Sequence, residues 1–178
     1  MASPGNTYTP LTVANSFIEC ARADRRQLTQ IQLQKLSYIF YGWGWAVFDR
    51  ALVDHHVEAW KYGPVFPPLY YETRRFGARA ITKTLPVGED AWQYNDDSVP
   101  EVIPASDAEG TRMLRYVWKH YGRLPGAALI SITHKPDTPW DRVFNAEENR
   151  GRKGLVIPDK YIKEHYDDLY RRVTATAQ

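Results

Sequence analysis

Residues 29–48, TQIQLQKLSYIFYGWGWAVF, read as one long helix and decide the fold class. Thr29 and Gln32 have the spacing of a capping box, in which each side chain satisfies a backbone N–H that the first helical turn leaves free. Leu33, Leu36, Phe40, Trp43 and Val47 follow at three- and four-residue steps, the repeat of a helix that buries one face. Gly42 and Gly44 interrupt this aromatic run at a cost of about 1 kcal/mol each relative to alanine. Either a neighbouring element packs very close to them, or the helix bends or frays there.

Upstream, Thr9 and Pro10 form an N-cap and first helical position, and Val13, Phe17, Cys20 and Ala21 share a face up to about Asp24. Residues 1–8, with Ser, Pro, Gly and Asn in place of apolar spacing, read as a loose tail. Downstream, residues 57–61 read as a strand that runs into Gly63 and Pro64. Pro67 or Pro68 starts a third helix that ends at Gly77. Residues 80–104, with three prolines and the acidic pair Glu89 and Asp90, read as a loop with a short strand or two. Ser106 and Glu109 repeat the capping-box spacing ahead of a helix that stops at Gly122. A fifth helix follows Pro125 and ends before His134, a brief helical turn carries Trp140, Val143 and Phe144, and a last helix follows Pro158. The expected fold is mainly α: one compact domain over residues 9–173, of about six helices with a minor short β element, followed by a tail at 174–178.

A chain of 178 residues that is 43% hydrophobic and 25% charged buries one substantial core without disulfide or metal staples. Six Trp and twelve Tyr are more than average usage, and some of these rings are expected at a contact surface. The net charge of +2 provides no global field toward nucleic acid or an anionic membrane. Cys20 is the only cysteine, which excludes an intrachain disulfide and fits a reducing cytoplasm. The first ten residues lack the basic start and apolar run of a signal peptide, and no stretch approaches the roughly 20 apolar residues that span a bilayer. A cytoplasmic location is expected.

Catalytic patterns are weak. His55, His56 and Glu58 place three metal-binding side chains within four residues, but neighbouring residues point to different sides of a helix or strand, and the His-Glu-x-x-His spacing is absent. With His134 they form the set from which a metal-dependent hydrolase or nuclease would be assembled. No Gly-x-Ser-x-Gly elbow and no phosphate-cradling loop occur, so no cofactor is implied. Arg150, Arg152 and Lys153 lie in a glycine-containing basic loop, the natural candidate for a DNA-binding regulator, but no helix-turn-helix pattern accompanies it. Trp60, Tyr62, Pro64, Phe66, Tyr70 and Tyr71 cluster closely enough to supply both core and interface.

Three ordered blocks carry more than composition: QLQKLSY at 32–38, AWKYGPV at 59–65, and THK at 133–135 running on to Pro139 and Trp140. With KGLVIP at 153–158, they resemble the Panacea antitoxin domain, the family of phage-associated GepA-like and SocA-like proteins, and the resemblance covers roughly residues 11–170, nearly the whole chain. The resemblance implies a mainly helical antitoxin that neutralises a cognate toxin, usually encoded beside it, by protein binding. Some antitoxins also deliver their toxins to a cellular protease, which makes such a protease a second partner. Mapped onto this chain, the resemblance points to Lys35, Tyr38, Trp60, Tyr62, Gly63, Pro64, His134 and Trp140. Lys35, Tyr38, Tyr62 and His134 would present polar tips around an aromatic floor that receives a toxin segment. The alternative gives Gly63 and Pro64 to a turn and Trp60 and Trp140 to the core.

Overall fold

In the computed structural model, which describes residues 6–88 and 99–176, Thr29 caps an unbroken helix α2 (Gln30–Phe48). The capping box is closed in both directions, with Gln32 N–H donating to Thr29 Oγ1 at 3.4 Å and Thr29 N–H donating to Gln32 Oε1 at 3.0 Å. Residues 33–44 of α2 are buried on every side rather than on one face, and the enclosed stretch includes the polar Gln34, Lys35 and Ser37. It is the axis of the fold. Around it pack α1 (Pro10–Ala23), α3 (Pro67–Thr73), α4 (Ala108–Tyr121), α5 (Gly126–Thr133) and α7 (Asp159–Thr176), with α6 (Pro139–Phe144) lying against α7.

The two glycines mark close approaches, and the helix runs through both of them without a break. A Cβ on Gly42 would fall within the ring of Tyr166 on α7, and one on Gly44 would lie 2.7 Å from Leu52. On α1, Thr9 accepts from Thr12 N–H at 3.1 Å, and Asn15, fully buried, exchanges hydrogen bonds with the Leu85 backbone at 2.9 and 2.6 Å. Thus a buried amide ties the chain after the third helix back to the core.

Two small antiparallel sheets complete the domain. One pairs β1 (Leu28–Thr29) with β4 (Ala80–Ile81); the other has the order β3 (Gly63–Val65), β2 (Val57–Trp60), β5 (Val156–Ile157). The expected strand at 57–61 is thus the centre of a three-stranded sheet.

Four expectations change. There are seven α-helices among the described residues, not about six, because the turn at Trp140 is a full helix whose N-cap Thr138 accepts from Asp141 N–H at 3.3 Å. The cap of α4 is Asp107, not Ser106: its carboxylate accepts from the N–H groups of Glu109 and Gly110 at 3.0 and 3.1 Å, and the Tyr8 hydroxyl holds it from outside. Tyr8 is buried rather than loose, bonded through its backbone to Leu52 and Asp54 at 2.9 and 3.0 Å. Residues 174–176 continue α7. The expectations for residues 1–5, for Glu89 and Asp90, and for residues 177–178 lie outside the described residues.

Candidate functional site

Lys61 and Tyr62 form the two-residue turn between β2 and β3, with Trp60 paired to Gly63. Gly63 takes φ +98°, a conformation that side chains with a Cβ resist, and it also lacks room for one: a Cβ there would lie 2.6 Å from Lys35 Nζ and 3.2 Å from Thr133 Oγ1. Tyr62, at the tip, is 61% exposed.

The three sequence blocks meet beneath this turn. From α2, Lys35 Nζ donates to the Pro64 carbonyl at 3.0 Å, while the Gln34 amide donates to Phe66 O at 3.2 Å and accepts from Phe66 N–H at 3.0 Å. The helix therefore satisfies the outer edge of β3, where a further strand would otherwise pair. From α6, Trp140 Nε1 donates to the Trp60 carbonyl at 2.7 Å. From the end of α5, the His134 ring lies 3.9 Å from that of Trp140, bonds through Nδ1 to Ile130 O at 2.9 Å, and faces the Lys61 carbonyl. The Trp140 ring is stacked on Phe144 at 4.7 Å. Replacing Trp140 by phenylalanine keeps the stack but removes this donor from the half-buried Trp60 carbonyl, so Trp140→Phe is expected to lose about 1–2 kcal/mol in a urea titration. An unchanged midpoint would show that the turn is not held in this way.

The electrostatics follow from burial. Desolvation lowers the Lys35 pKa to about 7. The same cause, reinforced by Lys35, holds His134 below its ordinary value. Tyr38, fully buried against the Tyr166 ring at 6.0 Å, has its phenol raised well above the usual range by burial.

Of the eight residues expected at the site, seven lie at or under the turn, and Tyr38 faces α7 instead. Lys35, Tyr38, Gly63, Pro64 and Trp140 are buried, Trp60 and His134 half-buried, and Tyr62 exposed. The Lys35 and Tyr38 tips thus stay inside, because α2 is enclosed on all sides at both positions. Gln34 and Thr133, which complete the clasp, were not singled out in the sequence, although both fall within its blocks.

The other candidate sets do not assemble. The rings of His55 and His56 stack at 5.0 Å, and His56 lies 3.3 Å from Glu58. His134 sits beside Lys61, five residues along the strand direction from His56, or roughly 16 Å at 3.3 Å per residue. Among the described residues no group of three His, Cys, Asp or Glu side chains is placed to share a metal. Burial, with Asp24 and Glu19 adding to it, raises the Cys20 thiol to about 11, far from a reactive thiolate. Arg150, Arg152 and Lys153 are exposed on their loop. No helix of the described residues is long and apolar enough to cross a membrane.

No solved structure matches the chain. The family model "Antitoxin SocA-like, Panacea domain" matches residues 33–141, from the first buried leucine of α2 to the residue after Trp140, and so takes in every block that meets at the turn. Antitoxin SocA of Caulobacter vibrioides (strain NA1000 / CB15N) is 31% identical over 162 residues, covering 86% of this chain and 80% of that protein. The chain belongs to the SocA-like antitoxin family, which the Panacea domain defines.

Proposed function

We propose that this protein is the antitoxin of a toxin-antitoxin pair, that it neutralises its toxin in the cytoplasm by direct protein binding, and that the β2–β3 turn lies within the contact. The observation that carries this reading is the convergence of the three family blocks on one turn, most of whose supporting atoms are buried while Tyr62 projects outward. Such a turn is held in place before any partner arrives, which lowers the ordering cost of association. A large exposed ring on a rigid support is also the usual form of a binding hot spot. The role needs no catalytic group of the antitoxin's own.

Co-expression with the product of the adjacent reading frame tests the proposal. That product is expected to arrest growth alone, to be tolerated with this protein, and to co-elute with it; toxicity unchanged by co-expression would refute the role. Tyr62→Ala is expected to weaken the complex about tenfold or more while leaving the thermal midpoint in place, since the ring is exposed. The toxin's half-life distinguishes holding from delivery to a protease: unchanged or lengthened in the first case, shortened in the second.

A further inference from the structure

The exposed rings continue beyond the turn. Trp60 meets Tyr70 edge-on at 4.7 Å, and Tyr70 meets Tyr71 at 5.8 Å, so the aromatic surface runs from the hairpin onto α3. Tyr71 is 56% exposed. Cations lie over these rings: Lys61 Nζ is 5.5 Å from the centre of Tyr62, and the Arg74 guanidinium is 5.4 Å from that of Tyr71, with Arg75 at 5.1 Å from Phe76 beyond it. All three are exposed, and among the described residues none forms an ion pair.

The two acidic groups on the same elements are outnumbered by these three cations and lie within ion-pair distance of none of them. Glu58 is taken up by Trp60 Nε1 at 2.7 Å and His56 at 3.3 Å, and Glu72 is half-buried on α3. In a chain whose total charge is only +2, a ridge carrying three unpaired cations is a local feature.

We propose that this ridge, from Trp60 to Arg75, receives an acidic segment of the toxin polypeptide. Its carboxylates meet Lys61, Arg74 and Arg75, and its apolar side chains pack against Tyr62, Tyr70 and Tyr71. The proposal rests on the binding reading above and adds to it both a second element, α3, and the chemistry of the partner. Arginine forks match carboxylates two bonds at a time, and these bonds strengthen as neighbouring rings exclude water. Charges at such a ridge also steer encounter and set partner choice. Single-stranded nucleic acid is disfavoured because its bases stack on open ring faces, over which Lys61 and Arg74 already lie at Tyr62 and Tyr71, whereas apolar side chains of a polypeptide also pack against ring edges.

The test uses the full chain and its toxin, with Lys61→Glu, Arg74→Glu and Arg75→Glu combined. All three side chains are exposed, so the circular dichroism spectrum and thermal midpoint are expected to be retained; the corresponding glutamine set replaces them if charge reversal unfolds the chain. Toxin affinity is expected to fall about a hundredfold at low salt, and the salt dependence of the wild-type complex to be largely lost. Reversing Arg150, Arg152 and Lys153 instead is expected to have little effect. Affinity that survives reversal of the ridge, or falls equally with the loop, overturns the proposal while leaving the antitoxin role intact. A wild-type chain that forms no complex with the toxin overturns both. Binding of a single-stranded RNA oligonucleotide as tight as that of the toxin, and lost on the same reversal, would reassign the ridge to nucleic acid.

Discussion

Between pH 7 and pH 9 the stability of the folded chain is expected to rise by about 2–3 kcal/mol, and the Lys35→Met variant is expected not to follow. Lys35 is 2% exposed, its ammonium has one carbonyl partner, and burial takes its pKa from 10.5 down to about 7. Above pH 7 the folded state has released a proton that the unfolded chain keeps until about pH 10.5. Stability rises with pH wherever the unfolded state binds more protons, by about 1.4 kcal/mol per pH unit for one proton. The penalty is therefore fully present below pH 7 and is relieved as pH climbs toward 10.5.

Other groups set the window. Below pH 7, His55, His134 and His165, all lowered chiefly by burial, contribute with the same sign. Above pH 9 the thiol of Cys20 and the buried phenols of Tyr38 and Tyr41, all raised by burial, pull the other way. Methionine keeps most of the lysine stem's volume but leaves the Pro64 carbonyl without its donor, a loss of about 1–3 kcal/mol. The variant should thus stand closest to wild type at pH 7 and fall behind at pH 9, as read from urea midpoints. A flat wild-type profile, or a methionine variant with the same rise, would mean that Lys35 keeps its charge in the fold.

The burial of Lys35 also shows where sequence reasoning ends. Its place on α2 is readable, because the capping box and the apolar repeat are local and both are realised. Nothing local reveals that the groups that meet the ammonium come from residues 63–64, far along the chain. A lysine in a helix reads as a surface tip until the carbonyl that receives it is known. The cap of α4 fails for a similar reason. Ser106 and Asp107 both suit the role, and the carboxylate that caps is the one held by Tyr8 from the other end of the domain. Residues 63–65 offered only Gly and Pro as turn markers, and they become a strand because Gln34 and Lys35 supply the partners that a neighbouring strand would otherwise provide. The aromatic cluster at 60–71 was legible as a set of rings, but not its division into buried anchors and exposed ridge, which depends on how the hairpin sits over α2 and against α3.

Gly42→Ala is expected to destabilise the protein by about 2 kcal/mol or more, although alanine inside a helix is favoured over glycine by about 1 kcal/mol. The added methyl would enter the ring of Tyr166, which α7 lays against the middle of α2. That ring has nowhere to move: Tyr38 meets it edge-on at 6.0 Å and Trp43 at 5.6 Å, and it is buried on all sides. Relief must then come from shifting α7 as a whole, which opens the helix interface along its length. In a Tyr166→Ala background the obstruction is gone, and Gly42→Ala is expected to change sign and stabilise by about 1 kcal/mol, giving a coupling of about 3 kcal/mol in the double-mutant cycle. Equal effects in both backgrounds would place the cause elsewhere on α2. Toxin binding gives an independent control, since Gly42 lies seven residues, or about 10 Å of helix, from Lys35 and the turn it supports. Measured below its lowered thermal midpoint, the Gly42→Ala variant should bind toxin as wild type does, which separates the packing of α7 from the surface presented by the hairpin.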